Sequence, residues 1–433
     1  METQQVDRNR LEMKYIYFSK AFLFAIIILL FHSCEEGDLP SADNTQTDRL
    51  NWSYDFPTVM AFSMYNTVPA IDEEGNIYVL ADVQSGGLLV KLSPTGDENW
   101  TLNVGDFPLS RLIYYNGKLY FINNGDLICL NSVDGSQIWS SDASGAQEIF
   151  ALNADKIYTT NFVDIGFLGQ THLNAYNHDG NKIWETNIEY SEIDSIAFAN
   201  TMAINGNNIY VGLFTEVGNS EFAIINYVDE GNTVTKQWSW LAPENYSVDG
   251  GNPRIKDFAI DDNGNLIFGM ENGGTQYVFS VSSQGIENWR TATSMPEIIS
   301  NVTVDGNGGC YVSYDKCEKI GQSGIVWTSE VKTDWTYDGF VSKAPVISKD
   351  GNLTCENVSR IVASVSVGGD FLWEQFWGCN LCNDEFHNIT INRNGDIIVV
   401  GKATVYCFEG DGSGLLDKGW PKRYGNYGNT SSK

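Results

Sequence analysis

The sequence predicts an all-β fold, an eight-bladed β-propeller of four-stranded antiparallel blades, on three observations. Nine of the twelve tryptophans recur at a near-constant interval: Trp52, Trp100, Trp139, Trp184, Trp238, Trp289, Trp327, Trp373 and Trp420 lie 38 to 54 residues apart, 46 on average. That period suits four strands of about 5–6 residues plus their connections, the content of one blade. Each unit also carries two strand–turn–strand signatures. One ends at the tryptophan (LVKLSPTGDENW, LICLNSVDGSQIW, LNAYNHDGNKIW) and the other comes earlier (EEGNIYV, NGKLYF, NGNNIYV, RNGDIIV). Glycine at the turn supplies positive φ, and the flanking Ile, Val, Tyr and Phe favour strands. Lastly, amphipathic helical periodicity is missing beyond the N-terminus.

In chain order, residues 21–31 form an apolar run of 11 after Lys14 and Lys20. As a helix this spans only about 16 Å, too short for a bilayer core of about 30 Å, so 1–33 is expected to be a signal peptide. Cys34 follows directly and resembles the cysteine of a bacterial lipobox, although Phe31 and His32 stand where Leu and a small residue are usual. The resemblance implies lipidation of Cys34 and export to an outer membrane. Glu35, Glu36 and Asp38 resemble the acidic cluster that sends some lipoproteins to the cell surface. Residues 34–49 are polar and acidic, an expected tether. The propeller is expected over 50–420. Nine tryptophan strands compete for eight places, and the strand at 50–56 is expected to complete the last blade, because joining the chain ends removes open edges. Pro421 lacks an N–H and disfavours a long strand there, so 421–433 is expected to be a surface extension.

The turn glycine four residues before a tryptophan (Gly96/Trp100, Gly135/Trp139, Gly180/Trp184, Gly285/Trp289, Gly369/Trp373) resembles the tryptophan-docking motif of PQQ-binding-like β-propeller repeat proteins. The resemblance covers about residues 50–420 and implies that each tryptophan packs between neighbouring blades. Three units depart in spacing (Gly231 to Trp238, Gly324 to Trp327, Gly414 to Trp420). The family includes the scaffold lipoprotein of the outer-membrane β-barrel assembly machine, which implies a non-catalytic binding or scaffold role. It also resembles the quinoprotein dehydrogenases, which would imply a PQQ cofactor over the central channel, a calcium ion and often adjacent paired cysteines. This sequence has no Cys-Cys pair, so the residues do not support PQQ or calcium. No G-x-S-x-G, H-E-x-x-H or P-loop occurs, and the expectation is a protein that is not an enzyme. Asp261, Asn263 and Asn265 read as a turn rather than calcium ligands.

A net charge of −29, from 26 basic and 55 acidic residues, argues against a nucleic-acid partner, since that binding rests on neutralising phosphates. The expected partner is a protein or a glycan; the membrane is reached only through the lipid anchor. In a blade with strands A to D, the A–B and C–D turns share one face and the B–C and D–A connections the other. Here the long, varied connections are B–C and D–A, where binding usually sits. They hold the candidates Trp335, Tyr337, Asp338, Trp240, Tyr246, Asp249 and Trp377. By alternation Trp240 shares a face with Trp238 and Trp377 with Trp373, which favours packing for those two and leaves Trp335 as the surface candidate. Seven cysteines remain after Cys34. Cys310 and Cys317 flank a hairpin turn and Cys379 and Cys382 form a C-x-x-C, so local disulfides are expected, while Cys129 and Cys407 read as small buried residues. Cys379, Cys382 and His387 make at best three zinc ligands, and no metal is expected.

Overall fold

The computed structural model describes residues 49–56, 68–83, 86–105, 111–143, 146–164, 169–188, 197–215, 222–243, 246, 257–295, 301–313, 316–329, 344–356, 361–376, 386–401 and 404–433. The expectations for 1–33, Cys34 and the tether up to Asp48 lie outside them. Eight four-stranded antiparallel sheets follow one another along the chain, as the repeat predicts. Seven are consecutive hairpin blades, from Ala70–Ile71 onward to Phe371–Phe376. The eighth is closed as expected: Leu50–Asp55 pairs with Thr404–Phe408 as strand D of the last blade.

Strands B and C are buried almost throughout, as in Phe222–Asp229, whereas strands D alternate half-buried and exposed, as in Glu98–Gly105. The two sequence signatures meet inside each blade. In five blades a strand-B tyrosine (Tyr78, Tyr120, Tyr158, Tyr210, Tyr311) lies 5.9–6.1 Å from the tryptophan of its own strand D.

Between blades, five tryptophans meet the turn glycine of the following unit. A Cβ at Gly96 would lie 2.5 Å from the Trp52 ring, one at Gly285 2.6 Å from Trp238, and one at Gly369 2.8 Å from Trp327. Trp139 packs on Gly180 and Trp100 on Gly135 in the same way. Four indoles donate to a backbone carbonyl across the junction: Trp52 to Pro94, Trp139 to His178, Trp238 to Ser283 and Trp327 to Val367, at 2.9–3.2 Å. Such contacts join apolar burial to a satisfied N–H.

The irregular units break this pattern at the tryptophan before them. A Cβ at Gly231 or Gly324 would meet nothing within 4 Å, so Trp184 and Trp289 have no glycine seat. Polar contacts take over there. Between blades three and four, Lys156 reaches Asp229 at 2.7 Å and the Gly231 carbonyl, and Tyr158 donates to Asp229 at 2.6 Å. Between blades five and six, Thr291 donates to the Gly321 carbonyl and Ser294 to the buried carboxylate of Glu318.

Two expectations are corrected. Cys317 is joined to Cys355 of the next blade, and Cys310 is a free buried thiol. Cys317 pairs in register with Ser313, an odd number of residues from Cys310, so alternation sends the two side chains to opposite faces of the sheet. Cys129 and Cys407 are also buried thiols. The segment 421–433 is not a surface extension, since Lys422 and Asn429 have no exposed surface, and Trp420 is not a blade tryptophan, since it lies in none of the blade strands and makes an isolated bridge to Val304.

Candidate functional site

The C-terminal segment fills the axial channel at the level of the innermost strands. Sequence explains why no strand forms: Gly419, Pro421, Gly425 and Gly428 interrupt any run, and Gly425 has φ +87°. Tyr424, Asn429 and Ser431 adopt left-handed φ of 64°, 60° and 50°, which persists only where surroundings impose it. What imposes it is the ring. Trp420 exchanges two hydrogen bonds with Val304 of blade six, and Ile347 of blade seven donates to Pro421 O. Ile71, Tyr114, Leu152 and Ile204, from blades one to four, donate in turn to Tyr427, Gly428, Thr430 and Ser431 at 2.9–3.1 Å. Blades five and eight are reached by Arg423, which donates to Asp257 at 2.8 Å and Asn388 at 3.3 Å. One segment therefore bonds to all eight blades.

Its charges are held inside. Lys422 donates to Pro69 O at 3.2 Å and Asn429 Oδ1 at 2.6 Å, and Asn429 in turn donates to Val68 O and Leu112 O. Burial pushes the Lys422 ammonium down to about 7. The Arg111 guanidinium lies 4.4 Å from the Tyr424 ring centre, and burial lowers its pKa. The inward amides of six blades and the cations Lys422 and Arg423 are thus engaged by the chain itself. Asp261 is a turn residue as expected: one carboxylate oxygen accepts from the backbone N–H of Asn263 and Asn265, the other from the Asn265 amide.

The same segment shapes a depression on the face of the A–B turns. Over blades five to seven it covers that face: Lys349 N donates to Gly414 O, Gly419 N to Asp262, and Lys433 pairs with Asp262. Over the remaining blades the turn tips stand clear and ring a cavity of about 520 Å³, with Arg393, Glu73, Tyr115, Asp155 and Asn207 on the rim and Tyr427 on the floor. This is the face opposite the one expected from loop length.

The candidates of the other face separate. Trp240 is buried 5.5 Å from Phe268 and 5.9 Å from Phe279, so it packs between blades, as its alternation with Trp238 favours. Tyr246 packs at 5.3 Å and 5.2 Å against Tyr277 and Phe279, under the Arg290 guanidinium, and is a packing residue too. Trp335, Tyr337, Asp338, Asp249, Trp377, Cys379 and Cys382 lie outside the described residues. The channel and depression residues carry no motif. The available signal was the aromatic load of WPKRYGNYGN, high for an exposed tail.

The fold is an eight-bladed β-propeller, and its repeats are similar to PQQ-binding-like ones. More particularly, residues 36–239, less than half of the chain, match the family described as "Outer membrane protein assembly factor BamB". Among solved structures, the quinohemoprotein alcohol dehydrogenase of Comamonas testosteroni is similar at 13% identity and a TM-score of 0.52, over 83% of this chain and 76% of that one. The dihydro-heme d1 dehydrogenase NirN is similar at 12% identity and a TM-score of 0.50, over 78% and 75%. At such identity these likenesses speak for the fold alone. No protein of curated function matches the sequence.

Proposed function

We propose that this chain is a non-catalytic binding or scaffold propeller, exported and held at an outer membrane through lipidated Cys34. The observation that carries the reading is the self-filled channel: the axis, where a quinone would have to sit, is built into the fold by bonds from all eight blades. The match of residues 36–239 to an outer membrane assembly factor supports the same role and location. The test has two arms. Radiolabelled palmitate should enter the full chain but not a Cys34→Ala variant, and PQQ with calcium should cause neither a spectral change nor dye-linked alcohol oxidation. Label retained in the variant would overturn the anchor, and saturable oxidation would overturn the non-catalytic role.

A second reading, a glycan- or peptide-binding protein facing the cell surface, is favoured by the acidic residues after Cys34 and by the open polar depression. Protease added to intact cells separates the readings, because full protection of the propeller would exclude the surface-facing one.

A further inference from the structure

We propose that the depression over the A–B turns of blades eight and one to four is a binding site for a neutral oligosaccharide. The inference rests on the second reading above and gives it a ligand class and a place. Charge supplies the first argument. Lys433 pairs with Asp262, and Arg393 donates through Nε to Asp72 O at 2.6 Å with its guanidinium 4.5 Å from the Tyr427 ring centre. Glu73 accepts from the Tyr114 hydroxyl, and Asp155 stands exposed at its turn tip. Among the lining residues Glu73 and Asp155 outnumber Arg393, and Lys433 is already paired, which disfavours a phosphate or carboxylate ligand, whereas a hydroxyl can both donate to a carboxylate and accept from an amide.

The second argument is the kind of polar group present. Asn116 and Asn207 sit exposed at the hairpin tips of blades two and four in the cavity lining, and each offers a donor and an acceptor in one plane, the complement of adjacent sugar hydroxyls. They are held by short turns on rigid blades, which keeps the ordering penalty of binding small. Aromatic surface supplies the third. Tyr115 is half-buried and stacked on His178, with centroids 5.5 Å apart and planes inclined by 21°. His178 is itself fixed between Tyr120 and Asn153 O. A ring set in place this way is a platform for the apolar C–H face of a pyranose. The volume, about 520 Å³, lies within the range of small-ligand sites.

The experiment titrates the purified full chain with maltotriose, cellotriose and N-acetylchitotriose, followed by saturation-transfer NMR and calorimetry. At least one should bind, and Tyr115→Ala and Asn207→Ala should each weaken it about tenfold, one or two lost contacts' worth. Asp350→Ala, at the turn tip of blade seven outside the depression, should leave it unchanged. Thermal midpoints of all three variants should stay near the parent's. If none of the three sugars binds, both this proposal and the glycan reading fail. If a sugar binds with undiminished affinity to the Tyr115 and Asn207 variants, the glycan reading stands and this location is overturned. Displacement of the sugar by inorganic phosphate would overturn the neutral ligand class.

Discussion

Lys422 shows what a single residue can impose on the whole ring. Its ammonium lies in the channel with Arg111, Arg423 and Asp257 around the same segment, and burial brings its pKa from 10.5 down to about 7. Because the folded value is depressed for a base, the unfolded chain binds the proton more readily between the two values. Stability therefore rises with pH above about 7 and is flat with respect to this group below it. The gain between about pH 7 and about pH 8.5 is on the order of 2 kcal/mol. The window closes at the alkaline side because burial raises the Cys129 thiol to about 11 and the Cys310 thiol further, so stability falls once unfolded thiols ionise. Thermal unfolding across that interval should show a rising midpoint, and Lys422→Met should flatten it. An unchanged slope in the variant would assign the proton to another group.

At the scale of the element, a turn glycine answers to two demands that mutation can separate. Gly96 and Gly231 have φ of +86° and +98°, so an alanine strains either backbone by about 1 kcal/mol. Only at Gly96 would the new Cβ also strike a ring, that of Trp52 at 2.5 Å, while Gly231 faces open space. Gly96→Ala should destabilise by about 3 kcal/mol and Gly231→Ala by about 1, read from thermal midpoints of the two variants. Equal losses would mean that tryptophan docking does not hold the blades together. The docking glycines and the closing strand were legible in the sequence, since both are local patterns repeated at one period. Even the irregular units could be seen in their spacing. What could not be seen was where the irregularity acts, because Trp184 lacks its seat through a turn some 47 residues later and Lys156 finds Asp229 only across a blade junction. The sequence likewise carries no sign that Cys317 would reach Cys355 rather than Cys310.

For the molecule as a whole, the segment after Trp420 separates two ways of closing a propeller. Strand pairing between Leu50–Asp55 and Thr404–Phe408 closes the outside of the last blade, and the channel segment ties the inner strands. The site was illegible in the sequence for the same reason: it is assembled from five turn tips and a stretch without periodicity, whose glycines read as loop. Removing residues 421–433 leaves the outer closure intact but takes acceptors from the N–H groups of Ile71, Tyr114, Leu152, Ile204 and Ile347. Each would lose on the order of 1 kcal/mol, less than a dry unsatisfied amide, because water would enter the opened channel. The truncated chain should keep its β-sheet circular dichroism, melt at a lower temperature, and exchange those five amide protons much faster than the intact chain. The channel it opens would be lined by strand edges and by Arg111, a setting that can accept a flat anion. A PQQ-induced spectral change appearing only after truncation would identify this segment as what separates the chain from quinone-binding propellers. Full protection of the five amides in the truncated chain would instead show that the outer strand closure alone holds the ring.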